Sequence, residues 1–129
     1  MEIIFLVGRV IFGGYFIRNA FNHFLNRNAM VGYAASKGAP MPSVAVFVTG
    51  VLMLIGGLGM LLGIFVELAL LSLMIFLLPV SFVMHAFWKI SDPMMKMMEQ
   101  VNFMKNMALL GAVLMILAIP TPWPYSLAL

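Results

Sequence analysis

From Gly38 to Val66 the chain runs without a single charged side chain. A helix rises about 1.5 Å per residue, so about 20 apolar residues cross the hydrocarbon core of a bilayer. The run exceeds that length. Three further stretches are also long enough: Ile3 to Leu25, Leu68 to Trp88, and a segment opening at Asp92 and ending near Ile119. Of 129 residues, 64% are apolar and 9% charged, against roughly half and a quarter in an ordinary soluble domain. Small folds have a high surface-to-volume ratio, and so few charges cannot clothe one in water. A soluble globular protein, a disordered tail and a nucleic-acid-binding module are excluded, leaving a small integral membrane protein of one domain. The expected architecture is all-α: a four-helix membrane bundle with spans at about 3–25, 43–64, 68–88 and 101–119, residues 92–100 being an interfacial extension of the last helix.

Local chemistry marks the helix ends. Asp92-Pro93 is a start signal, because Asp accepts from the orphan amides and Pro fits the first helical position. Pro120, Pro122 and Pro124 stop the last helix, and Pro79 is predicted to kink the third by freeing a carbonyl one turn earlier. Almost no loop separates helices two and three around Gly63 to Glu67, so they are antiparallel neighbours. Residues Asn26 to Pro42 read as a longer loop carrying Arg27 and Lys37.

Four spans put both termini on one side with the turn at Glu67. Arg27, Lys37, Lys89 and Lys96 fall on the other side. The positive-inside rule makes that side cytoplasmic, giving a multi-pass protein of the cell membrane, N-out and C-out. Trp88 and Trp123 are expected as belt residues at opposite interfaces.

Charge inside a span is costly enough to demand an explanation. Arg9 and Glu67 fall on the outer side, either as a structural ion pair or with Arg9 at an anion or headgroup site. Arg18, about half a turn away from Arg9 around the helix, is expected to snorkel to the headgroups. The Arg9 face also carries Gly13, Phe16, Ala20, His23 and Arg27, and small residues beside a charge indicate an inward face. His85 lies near the cytoplasmic end of helix three, while Asn102, Lys105 and Asn106 form one stripe on helix four. His23, His85, Asn102, Lys105 and Asn106 make a donor-rich set. Two readings suit it: a quinone head walled by Phe87, Trp88 and Phe103, or a polar rim meeting lipid phosphates.

No metal site is expected: two histidines lack a third ligand, and the chain has no cysteine for a thiolate or disulfide site. The 14 methionines, among them Met94, Met95, Met97 and Met98, read as adaptable apolar surface. Gly59 and Gly63 form a small-xxx-small motif that either packs helices two and three together or supports a homo-oligomer.

Several pieces resemble the DoxX-like (DoxX and DoxD) integral membrane proteins: Arg9, Ala20-Phe21-Asn22-His23, the stretch from Tyr33 to Pro40, Gly56-Gly57 through Gly63, His85, Phe103-Met104-Lys105-Asn106, and Pro124-Tyr125-Ser126. The resemblance implies a four-helix membrane bundle and a link to redox, since the name-giving relatives are membrane subunits of thiosulfate:quinone oxidoreductases and others are associated with oxidative stress. Arg9, His85, Lys105 and Asn106 match the family pattern. Met53 stands where many relatives carry an acidic residue, and His23 where many carry Lys. The expected function is a quinone-linked subunit of an oxidoreductase system, with a soluble or membrane redox partner holding the redox cofactor. In that role His85, Lys105 and Asn106 bind the quinone, and His23 relays a proton. The alternatives are a non-catalytic scaffold or assembly subunit and, less favoured, a small-molecule transporter.

Overall fold

The computed structural model describes residues 1–127, which form helices α1 (Glu2–Leu25), α2 (Arg27–Ser36), α3 (Pro42–Leu62), α4 (Val66–Met84) and α5 (Pro93–Leu117), with a 3₁₀ turn at Phe87–Lys89. There is no strand among the described residues. Four helices are long and apolar enough to cross a membrane: α1, α3, α4 with its following turn, and α5. The protein is therefore an all-α, multi-pass membrane bundle. Asp92 caps α5 as predicted, its carboxylate accepting from the Met95 amide at 3.0 Å, with Pro93 in the first turn. α4 stays helical through Pro79.

Residues 26 to 42 do not form an open loop. Arg27–Ser36 fold into α2, because burying Ala34 and engaging Tyr33 with α5 supply tertiary support that ten residues of weak intrinsic helix preference lack alone.

α1 packs on α3, α3 on α4 and α4 on α5, with α2 laid against α3. The inward face of α1 is the predicted one as far as Ala20, with Arg9, Gly13, Phe16 and Ala20 buried, whereas His23 is half-buried and Arg27 is exposed at the start of α2. Gly13 and Gly57 let α1 and α3 touch backbone to backbone; a Cβ on Gly13 would lie 2.7 Å from the Gly57 carbonyl. Gly59 and Gly63 are used within the chain, not presented to a second copy. A Cβ on Gly59 would meet the Ala69 Cβ at 2.4 Å, and Gly63 ends α3 in a left-handed conformation against Arg9 and Ser126.

The Arg9–Glu67 ion pair does not form, and Glu67 is exposed. The reason lies at the end of α3, where a helix leaves its last four carbonyls without intrahelical donors. Here all four find partners. Gly59 accepts from the Gly63 and Ile64 amides at 2.9 and 3.2 Å. Met60 and Leu61 accept from Arg9 Nε and Nη2 at 3.1 and 2.9 Å. Leu62 accepts from the Leu127 amide at 3.0 Å.

The remaining Arg9 donor, Nη1, holds the Pro124 carbonyl at 2.6 Å. The guanidinium, on a residue 2% exposed, thus caps the negative end of the α3 dipole and ties down the C-terminal segment. Trp123 moves inward with that segment. It is 3% exposed, edge-on to Phe5 at 5.1 Å and 5.6 Å from the Arg9 guanidinium carbon, so it is no lipid-facing belt residue.

Candidate functional site

α1 and α5 do not pack along their lengths, and a cavity of about 460 Å³ occupies the interior next to them. Its walls are mostly apolar: Phe16, Leu52, Met53, Phe76, Leu77, Val80 and Leu109 contribute. Its polar groups come from all five helices, Tyr33 being the contribution of α2. His23 and Asn19 face it from α1, Thr49 from α3, His85 from the end of α4, and Lys105 and Asn106 from α5. Tyr15, Val48, Ile75 and Val83 also line the cavity while remaining exposed, so it opens sideways through the bundle wall. Pro79, which has no amide for the Ile75 carbonyl, lines it beside Ile75.

The structure thus brings together four of the five residues proposed from sequence for the ligand site. Asn102 is not among the lining residues. Nor are Phe87, Trp88 and Phe103, which pack with Phe82 in a separate aromatic cluster with ring centroids 5.3–6.0 Å apart. Asn106 is 5% exposed, and its amide makes no hydrogen bond among the described residues. The amide is accessible from the cavity it lines, whereas the buried side-chain polar atom without a partner among the described residues is Trp123 Nε1.

The most connected polar group was not singled out from sequence. Glu99, 7% exposed, sits where α2, α4 and α5 meet. Its Oε1 accepts from the Tyr33 hydroxyl at 2.8 Å and lies 3.2 Å from Lys37 Nζ, while its Oε2 is 2.6 Å from His85 Nδ1. Tyr33 and His85 both reach the cavity, so Glu99 supports its wall from behind. Burial, reinforced by the Glu99 hydrogen bond and charge, pushes the Tyr33 hydroxyl up to about 12; it remains a donor throughout the physiological range. A sequence signal for Glu99 existed. It lies three residues before Asn102 and seven before Asn106, on the same helical face, and so extends the polar stripe by one turn.

The ring geometry also refines the donor-rich description. His23 Nδ1 is 2.9 Å from the Asn19 carbonyl, which can only accept, so that nitrogen carries a proton. His85 Nδ1 faces a carboxylate in the same way. Both imidazoles commit this nitrogen to the protein, and a neutral ring then offers the cavity a lone pair on Nε2. Lys105 and Asn106 add donors that no protein acceptor takes among the described residues, whereas Asn19, Tyr33 and Thr49 donate to protein oxygens.

Four membrane-spanning helices around an apolar cavity with polar groups on several walls define a small multi-pass membrane protein. The DoxX family profile matches residues 4–86, well over half of the sequence, and the chain belongs to the DoxX family. No curated protein and no solved structure matches it. The matched stretch carries Arg9, His23, Tyr33, Lys37 and His85, whereas Glu99, Lys105 and Asn106 lie on α5 beyond it.

Proposed function

We propose that this protein is a quinone-linked membrane subunit of an oxidoreductase system, of the sulfur-compound or oxidative-stress kind that the family resemblance implies. A separate redox partner then supplies the electron-transferring cofactor. The observation that carries the reading is the cavity. Its volume falls within the roughly 300–1,000 Å³ of small-molecule sites, its walls suit a ring and an isoprenoid-type tail, and Lys105 and Asn106 suit a carbonyl oxygen. Its lateral opening suits a ligand that arrives through lipid. Arg27, Lys37, Lys89 and Lys96 cluster at the α2 end, which the positive-inside rule reads as the cytoplasmic face of the cell membrane. Arg9 serves structure at the opposite end.

The test is extraction of quinone from protein purified with its surrounding lipid in polymer-bounded nanodiscs. The proposal expects quinone approaching one per chain, and a loss of most of it in Lys105→Met. Protein free of quinone, or an undiminished yield from that variant, refutes it.

A second reading is favoured by α5. Met94, Met95, Met97 and Met98 are 53–68% exposed on the turns that precede the cavity residues. Such a flexible apolar face suits recruitment of a protein partner, making the chain a scaffold or assembly subunit. Replacing these four methionines by Gln should then release a stoichiometric partner in a pull-down and leave bound quinone unchanged.

A further inference from the structure

We infer that Glu99 fixes His85 as the Nδ1–H tautomer, and that the cavity therefore selects the reduced, hydroxyl-bearing form of its ligand over the oxidised form. The selectivity half of this inference rests on the quinone reading above; the tautomer half does not.

The groups facing His85 settle its state. Glu99 approaches from α5 at 2.6 Å, with Tyr33 of α2 and Lys37 at the end of α2 on its other oxygen, while Lys105 and His23 share the cavity. The Lys37 ammonium already balances the one carboxylate. A second cation at His85 would add an uncompensated charge to an apolar-walled cavity, which is unfavourable. His85 is then neutral, with its single proton on the nitrogen that meets Glu99. The other ring nitrogen makes no hydrogen bond among the described residues, and the ring lines the cavity.

His23 repeats the arrangement with the Asn19 carbonyl. The cavity therefore carries two imidazole acceptors, the Lys105 ammonium as a donor, and the Asn106 amide, which both donates and accepts. A quinone has only acceptor oxygens and satisfies the donors alone. A quinol also donates its hydroxyl protons to the imidazoles. Glu99 is a positioning residue: it acts on the ligand through the His85 ring.

Glu99→Gln inverts this polarity with little change of shape. Tyr33 and Lys37 are donors, so they retain the carbonyl oxygen of the introduced amide and turn its NH₂ group toward His85. His85 Nδ1 must then accept, and its proton moves to Nε2, where it faces the cavity as a donor.

The experiment uses the full chain in nanodiscs with ¹⁵N-labelled histidine, His23→Gln assigning the two rings. The ligand probe is a short-chain ubiquinone analogue and its quinol, titrated anaerobically. In the wild type, His85 should show a protonated Nδ1 and a bare Nε2, and the quinol should bind roughly tenfold tighter, the scale of one net hydrogen bond. In Glu99→Gln the protonated nitrogen should exchange and the preference shift toward the quinone by a similar factor.

A wild-type His85 protonated on Nε2 overturns the inference and needs no variant to fold. Equal wild-type affinity for the two forms overturns the selectivity and leaves the quinone reading standing. Binding of neither form overturns the quinone reading and takes the selectivity with it, while the nitrogen spectrum still decides what Glu99 does to the ring.

Discussion

Replacing Arg9 by Met keeps the length and apolar stem of the side chain and removes the guanidinium. The Met60 and Leu61 carbonyls then lose their donors, in a region where water does not readily replace them. A buried polar group left unsatisfied costs about 1–3 kcal/mol, so the pair costs about 2–6 kcal/mol. Relief of the guanidinium's own desolvation offsets part of this, and the Pro124 carbonyl, nearer the surface, can be hydrated. The expected net loss is about 3 kcal/mol. Arg9→Lys should fall between, because one ammonium cannot reproduce a planar fork that serves three carbonyls.

Unfolding in mixed micelles with increasing SDS, followed by far-ultraviolet circular dichroism, measures the loss. Carboxypeptidase digestion should show the segment after Pro120 released in the variant and protected in the parent. Glu67→Gln should change stability by less than about 0.5 kcal/mol, as expected for an exposed side chain. If Glu67→Gln costs as much as Arg9→Met and the double variant costs no more than either, the two residues act as a pair and the carbonyl-clamp account is wrong.

Three further outcomes follow from single contacts. Gly59→Ala places a Cβ 2.4 Å from that of Ala69 and should cost about 1–3 kcal/mol in the same unfolding assay, without altering mass by light scattering; a changed oligomeric state with unchanged stability would return this face to a dimer. Asp92→Ala removes the cap on the Met95 amide and should cost about 1 kcal/mol, detected as faster amide exchange over residues 94–96. Because the folded pKa of Tyr33 is raised, its neutral hydroxyl contributes stability in full below the unfolded value of about 10. That contribution fades as pH rises through about 12. Ultraviolet titration should find one of the three tyrosines ionising near pH 12, and Tyr33→Phe should abolish that step.

The spans were legible in the sequence because apolar length is a local property. So was the cap at Asp92, which needs only the residues beside it. The inward face of α1 followed from small residues spaced around Arg9. What sequence spacing could not disclose were partners distant in the chain. Arg9 meets carbonyls at residues 60, 61 and 124, and backbone carbonyls leave no mark in a sequence, whereas Glu67 stood out as a visible but incorrect partner. Trp123 read as a belt residue because a tail that folds back under Arg9 resembles one that lies along the interface. α2 was hidden because its helicity depends on Tyr33 reaching Glu99, 66 residues away. Glu99 itself lay among exposed methionines, and only its register with Asn102 and Asn106 hinted at burial. His23, His85, Lys105 and Asn106 were recognisable as costly polar groups in apolar helices. Their shared cavity, and the nitrogen each histidine turns away from it, required the fold.

The most direct test of a quinone site in this cavity is photolabelling with an azido-quinone in nanodiscs, followed by peptide mapping. The account predicts label on the cavity walls, within residues 15–23, 45–53, 75–85 and 105–109, competed by unmodified quinone and reduced in Lys105→Met. Label confined to the exposed methionines of α5, or spread over the lipid-facing surface and indifferent to competitor, would contradict it.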